Sequence, residues 1–137
     1  MSGRRIKTSK VDREDYHKYW KKAEEFYETA EDRLTKGKWN AAALNAIHSG
    51  ISANDVLLVC FHGVKSISSK HDDAMRLLTS LVEHEKTEAN AAHLRKLIGT
   101  KHIVEYESRL FIQKESQALV KHAKRFLDWV DSILPDR

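Results

Sequence analysis

The sequence of 137 residues contains one cysteine, one proline and five glycines. The single cysteine, Cys60, excludes an internal disulfide and a zinc site built from several cysteines, and it fits a reducing compartment. Because β-sandwiches and barrels need a turn about every ten residues, so few glycines and prolines argue against both. The sequence has no apolar run approaching the roughly 20 residues of a membrane span, and its first residues lack the apolar core of a signal peptide. We therefore expect a cytoplasmic, helical protein that does not contact a membrane.

The net charge of +4 comes from the amino-terminal end of the sequence. Four of the 24 lysines and arginines lie in the first ten residues, where there is no acidic residue: Arg4, Arg5, Lys7 and Lys10. The other 20 balance the 20 acidic residues, so residues 11–137 are formally neutral. We expect residues 1–11 to form a basic, disordered tail and residues 12–134 to form one domain. The overall charge is therefore no evidence for nucleic-acid binding.

Apolar residues recur at three- and four-residue steps in five segments, which predicts helices and no strands. The segments begin near residues 12, 39, 69, 87 and 114, and the last ends near residue 134. Ser9 with Asp12, Ser69 with Asp72, and Thr87 are predicted to cap three of the helices. Gly99 either kinks the fourth helix or splits it. Short connections favour antiparallel neighbours, so we predict an all-α, up-and-down bundle of four long helices and a shorter fifth.

The second segment carries a single formal charge between residues 39 and 64, that of Asp55. A helix so apolar around its circumference is enclosed by its neighbours, which predicts that it is the central helix and that Gly50 permits a close contact. At about 100° per residue, five of its polar residues fall on one arc of about 120°. They are Asn45, His48, Ser49, Ser52 and Asp55. Three interpretations of this polar stripe are open. Its side chains form hydrogen bonds with one another, or the stripe is a homodimer face, or it lines a ligand cleft.

The eight histidines suggest a metal site, and Glu14 with His17 forms a Glu-x-x-His pair. A di-iron bundle needs two such pairs, and the sequence has no second one. It also lacks His-Glu-x-x-His, a glycine-rich phosphate loop and a serine nucleophile elbow. We therefore expect neither a metal nor another cofactor.

Residues 95–109 concentrate cations, an imidazole and a phenol. The groups of interest are Arg95, Lys101, His102, Glu105, Tyr106 and Arg109. Residues four apart, such as His102 and Tyr106, share one face of a helix. A cation that holds phosphate, beside a histidine that moves a proton, is the minimal equipment for cleaving RNA through its own 2′-hydroxyl. The alternative is a solvated helix end.

Four stretches resemble the HEPN domain family: residues 39–58, 69–78 and 101–107, and residues 123–130, which are similar to the final helix of the family. The resemblance spans about residues 12–134. It implies a helical bundle that is commonly a homodimer and that bacteria and archaea often pair with a small nucleotidyltransferase in toxin–antitoxin systems. Catalytically active members are metal-independent endoribonucleases. Their signature is an arginine, four to six residues and a histidine, and two protomers bring their copies together in one cleft.

The sequence departs from that signature. If Lys101 stands for the arginine and Tyr106 for the histidine, the bidentate fork is lost and a phenol with an ordinary pKa near 10 replaces the base. In a second placement, Arg95 and His102 lie about 10 Å apart along a helix, so they need a break at Gly99 or pairing across a dimer.

Three hypotheses for the function follow. The first is a non-catalytic HEPN-like module that binds RNA, a nucleotide or a protein partner, with the polar stripe, Glu105 and Arg109 as its ligand or dimer face. The second is a metal-independent endoribonuclease that uses Arg95, Lys101, His102 and Tyr106. The third is a structural bundle with no role in nucleic-acid binding.

Overall fold

The structure, a computed structural model, describes residues 6–68 and 70–135, with the backbone alone at residue 71. Within that part of the chain, two short strands and five α-helices follow one another, with a 3-10 turn at Arg13–Asp15 before the first helix. They are β1 (Thr8–Lys10), α1 (Tyr16–Thr35), α2 (Trp39–His62), β2 (Val64–Ser66), α3 (His71–Leu81), α4 (Thr87–Tyr106) and α5 (Gln113–Ile133). Four helices are long and α3 is shorter, so the predicted all-α bundle is confirmed.

Helix α2 is the central helix, as predicted, because it packs against each of the other four helices. Its buried side chains are mostly alanine in the first half and valine and leucine in the second. By length and composition α2 could cross a membrane, so the prediction that no apolar run approaches that length is wrong. However, 61% of its most apolar window is buried inside the bundle. This burial is typical of the core helix of a soluble protein.

The two strands form a small antiparallel ribbon, in which Thr8 lies opposite Ser66 and Lys10 opposite Val64. The ribbon is reached through Gly63, which ends α2 in the left-handed conformation at φ 62°. The prediction of no strands is therefore wrong, and the predicted disordered tail over residues 1–11 is wrong for Thr8–Lys10. Strands of three residues carry too little alternation to be recognised in a sequence. Residues 1–5, with two of the four amino-terminal cations, lie outside the described residues.

The helix caps differ from the predicted ones. Ser9 lies in β1, and the side chain of Asp12 instead accepts a hydrogen bond from the backbone N–H of Glu14 at 3.1 Å. Ser69 lies outside the described residues. Thr87 is the first residue of α4 rather than its cap, and its hydroxyl donates to the carbonyl of Val82 at 2.9 Å.

Two glycines lie inside helices in different surroundings. A Cβ atom at Gly50 would lie 2.6 Å from Cδ1 of Leu97 and 3.5 Å from Cδ1 of Leu94, both on α4. A Cβ atom at Gly99 would meet nothing within 4 Å, and α4 continues through this residue. Gly50 is therefore needed for the close approach of α2 and α4, as predicted. Gly99 does not split the fourth helix.

The two glycines make a matched pair of substitutions. We expect Gly50→Ala to lower the free energy of unfolding by about 1–2 kcal/mol, because the added methyl group overpacks a buried contact with Leu97. We expect Gly99→Ala to raise it by up to about 1 kcal/mol, because alanine is the better helix former. Urea unfolding of both variants measures this difference. Equal stabilisation by the two substitutions would show that α2 and α4 do not pack as described.

Candidate functional site

An open groove of about 580 Å³ lies between the start of α3 and the second half of α4. We call it the α3–α4 groove. Its lining residues come from both helices and from the residue before α3: Lys70, Asp72, Ile98, Gly99, Lys101, His102, Glu105 and Tyr106. The fold therefore brings together three of the four residues predicted to be catalytic, and Arg95 is not among them.

Glu105 connects this groove to the polar stripe on α2. Lys101 Nζ donates to Glu105 Oε1 at 2.5 Å, and His48 Nε2 lies 3.8 Å from Glu105 Oε2. The side chains of Lys101 and Glu105 are only 17% and 22% exposed. Burial, and then the charge of Lys101, lowers the pKa of His48 against the opposing effect of Glu105. The charge of Lys101 is thus already compensated inside the protomer, and a phosphate would have to displace Glu105.

His102 and Tyr106 face the solvent at the mouth of the groove. Their ring centroids are 5.2 Å apart, and Tyr106 is 73% exposed. Among the described residues, neither side chain has a hydrogen-bond partner that would orient it. His102 is accessible to a ligand, but no fixed acid or base accompanies it.

The alternative pair of Arg95 and His102 is not assembled within one protomer. Both residues lie on α4, which is one continuous helix from Thr87 to Tyr106. They are therefore about 10 Å apart along the helix axis. Since no break occurs at Gly99, only pairing across a dimer would bring them to one phosphate.

Arg109 stabilises the connection between α4 and α5 and does not line the α3–α4 groove. Its Nη1 donates to Glu115 Oε1 at 2.9 Å, and its guanidinium lies 4.6 Å from the centroid of the Phe111 ring. The same carboxylate oxygen accepts from the backbone N–H of Ile112 at 3.1 Å, at the start of α5. Lys101 and Arg109 therefore line two different grooves.

Most of the polar stripe on α2 is covered by the protomer itself. Ser49 is fully buried and donates to the carbonyl of Ala46 at 2.7 Å, and Ser52 and Asp55 are 8% and 9% exposed. These three residues offer almost no surface, so the predicted ligand or dimer face is wrong for them. Helical spacing places residues on one face but does not identify the element that covers it. Asn45 and His48 remain half-buried.

Asp55 is a buried carboxylate beside two cations. Lys22 from α1 and Lys65 from β2 lie near it and also lie 5.5 Å and 5.2 Å from the centroid of the Tyr19 ring. Burial raises the pKa of Asp55 to about 6, although both lysines act to lower it. The cost of burying the carboxylate therefore exceeds the gain from the two lysines.

This balance predicts a pH-dependent effect of Asp55→Asn. Below about pH 4 the carboxyl group is protonated in the folded chain and mostly protonated in the unfolded chain, so we expect wild type and variant to be similarly stable. As the pH rises to about 6, the unfolded chain ionises first, and the folded chain must then hold a buried charge. We expect the variant to be more stable above this range by about 3 kcal/mol, since each pH unit of the shift corresponds to about 1.4 kcal/mol. Urea unfolding across this pH range measures the effect. A stability difference that stays constant with pH would contradict it.

Sequence reasoning missed a cluster between α4 and α5. His93 and His122 lie 29 positions apart, and their Nδ1 atoms are 3.0 Å from one another. Lys96, Lys121 and Arg125 are close enough to influence their ionisation. The spacing of His93 and Lys96 on one helix, and of Lys121 and Arg125 on the other, becomes informative only once α4 and α5 are known to pack together.

The family model of the HEPN domain matches residues 16–133, from the start of α1 to the end of α5. The chain therefore belongs to the HEPN domain family, a class of nucleotide-binding and ribonuclease-type helical modules. No match to the chain is found among curated proteins or among solved structures.

Proposed function

We propose that this chain is a non-catalytic HEPN module of the cytoplasm that binds a protein partner through the α3–α4 groove and the apolar residues beside it. The partner is a second copy of the chain or, as in toxin–antitoxin pairs, a small nucleotidyltransferase. The observation that carries the proposal is the pairing of Lys101 with Glu105, because it compensates the groove cation best placed to bind phosphate.

The charge of the groove supports a protein rather than a nucleic acid as its ligand. Its lysines, Lys70 and Lys101, are balanced by Asp72 and Glu105. Binding driven by phosphate contacts requires an excess of cations that release counterions. RNA or nucleotide binding at this groove is the second candidate, and the accessible imidazole of His102 favours it.

Exposed apolar side chains beside the groove also support a protein partner. Tyr106 and Leu110 are both 73% exposed, and Ile112 is 59% exposed. Tyr106 lines the groove, and Leu110 and Ile112 follow it in the connection from α4 to α5. The centre of a protein interface is typically aromatic and aliphatic, with polar groups around it. We therefore assign these three exposed residues to the proposed interface together with the charged residues of the groove.

The chemistry of the groove supports the absence of catalysis. Tyr106 is 73% exposed, and among the described residues no hydrogen bond orients its phenol for proton transfer. Lys101 lacks the bidentate fork of an arginine and is held by Glu105. An endoribonuclease would need a second copy to bring its Arg95 to His102.

We expect the wild-type protein to cleave no RNA in the presence of EDTA. The reason is that one protomer has no cation and base close enough together to act on the same phosphate. Incubation with labelled single-stranded RNA and separation of the products on a denaturing gel tests this. His102→Ala should give the same result. Metal-independent cleavage by the wild type that His102→Ala abolishes would support the endoribonuclease instead.

The interface is tested with Tyr106→Ser combined with Leu110→Ser. We expect this double variant to weaken binding to a second copy, or to a nucleotidyltransferase, by at least about tenfold, because aromatic residues dominate interface energies. Sedimentation equilibrium and co-purification measure the two kinds of binding. The matched control is Ile67→Ser, which alters an exposed apolar residue beside β2 and should bind like the wild type. Unchanged binding in the double variant, or no binding by the wild type, would contradict the proposal.

A further inference from the structure

A pair of histidines links α4 to α5 on a side of α4 away from the α3–α4 groove. Nδ1 of His93 and Nδ1 of His122 are 3.0 Å apart, and the ring centroids are 5.2 Å apart. At this distance one Nδ1 carries a hydrogen and donates it, and the other accepts with its lone pair. Both rings are half-buried, so the pair can still be reached from the solvent.

The charged groups that act on this pair are all cations. Lys96 approaches from α4, and Lys121 and Arg125 approach from α5. Within the described residues, none of the three makes an ion pair. Lys124 on the same helix, by contrast, lies 3.1 Å from the carboxylate of Asp128. We call the two histidines and these three cations the basic α4–α5 face.

An open groove of about 370 Å³ adjoins this face. Lys96 and His122 stand at one end of it, and its apolar walls include Ile103 and Leu119. Its one carboxylate, Glu115, is already bonded to Arg109. The groove therefore offers unpaired positive charge beside a short apolar surface, and its volume is in the range of small-molecule sites.

Electrostatics favours an anion over a metal ion here. Two imidazole nitrogens 3.0 Å apart have a spacing that suits a shared cation, but three neighbouring positive charges would repel one. Among the described residues, no third histidine, cysteine or carboxylate joins the pair as a ligand. An anion would instead be attracted by every charged group of the basic α4–α5 face.

Protonation of the pair is opposed in the empty site. Burial first, and then Arg125, lowers the pKa of His93, and burial followed by His93 and the three cations lowers the pKa of His122. The pair is therefore mainly neutral at neutral pH. A bound anion would offset the cations and allow the imidazoles to take up a proton.

We propose that the basic α4–α5 face is a binding site for a phosphate group, and that the histidine pair makes its affinity increase as the pH falls. The phosphate belongs either to a free phosphorylated small molecule or to an RNA backbone. The histidine pair acts as a phosphate ligand once it has taken up a proton, and the three cations hold the phosphate at every pH. The α3–α4 groove shares no lining residue with the groove beside this face, so the inference does not depend on the proposed function.

Binding and protonation are thermodynamically coupled in such a site. If binding takes up one proton, the affinity rises by up to about tenfold for each pH unit that is lowered in the titration range. By reciprocity, the ligand must raise the pKa of the pair by the same coupling free energy. The titration of the histidines and the pH dependence of the binding affinity thus measure the same coupling free energy independently.

The experiment is an NMR titration of the histidine imidazole carbons in the full chain between about pH 5 and pH 8. It is run without ligand, with pyrophosphate, and with a short oligouridylate at the same ionic strength. We expect both ligands to raise the pKa of His93 and His122. A shift with pyrophosphate alone would identify a free phosphorylated ligand. A larger shift with the oligouridylate would identify an RNA backbone.

Variants separate the two components of the site. His93→Asn combined with His122→Asn should remove the increase in pyrophosphate affinity as the pH falls and leave a weaker binding. Arg125→Gln should weaken binding at every pH by about tenfold. The matched control is Lys124→Gln, because Lys124 is paired with Asp128 and is not part of the face.

Three results would overturn the inference. The histidine titrations could be the same with and without both phosphate ligands. The affinity could be independent of pH in the wild type. Zn²⁺ could bind the histidine pair while pyrophosphate does not, which would indicate a metal site. The wild-type titration requires no substitution, so misfolding of a variant cannot hide any of these results.

Discussion

The enclosure of α2 by the other four helices is the constraint on which the rest of the structure depends. A helix with one formal charge between residues 39 and 64 must remove its surface from water on nearly every side. Gly50 allows α4 to approach closely, and the leucines of α4 fill the space beside it. With α4 packed on α2, the two flanks of α4 that face away from α2 form the two candidate sites. One flank meets α3 in the α3–α4 groove, and the other meets α5 at the histidine pair.

The distribution of paired and unpaired charges on α4 distinguishes these two flanks. On the first, Lys101 is held by Glu105, which also lies beside His48 of the central helix. The pairing of Lys101 with Glu105 within α4 compensates the cation expected to bind phosphate. On the second flank, Lys96 faces two cations of α5, and the charges that act on the histidine pair are all positive. A chain that is neutral over residues 11–137 can thus still present a local excess of one sign.

The sequence was sufficient to predict the helices, the central position of α2 and the role of Gly50, because apolar periodicity and the near absence of charge report burial directly. It was not sufficient to predict which residues cover the polar stripe. Ser49 has the same helical position whether a neighbouring helix or a second copy covers it, and the structure shows that its own protomer does. The ribbon formed by Thr8–Lys10 was missed because its register depends on a distant strand. His93 and His122 were missed for the same reason, since only tertiary packing brings them together.

Native-state hydrogen exchange of the backbone amides tests the central claim most directly, because it measures how each helix opens without altering the chain. The account predicts that the buried middle of α2 exchanges only through global unfolding and is the slowest part of the protein. The facing turns of α4 beside Gly50 should be nearly as slow, and α3 should exchange faster. Exchange in the middle of α2 as fast as in α3 would show that α2 is not the enclosed helix on which both flanks of α4 depend.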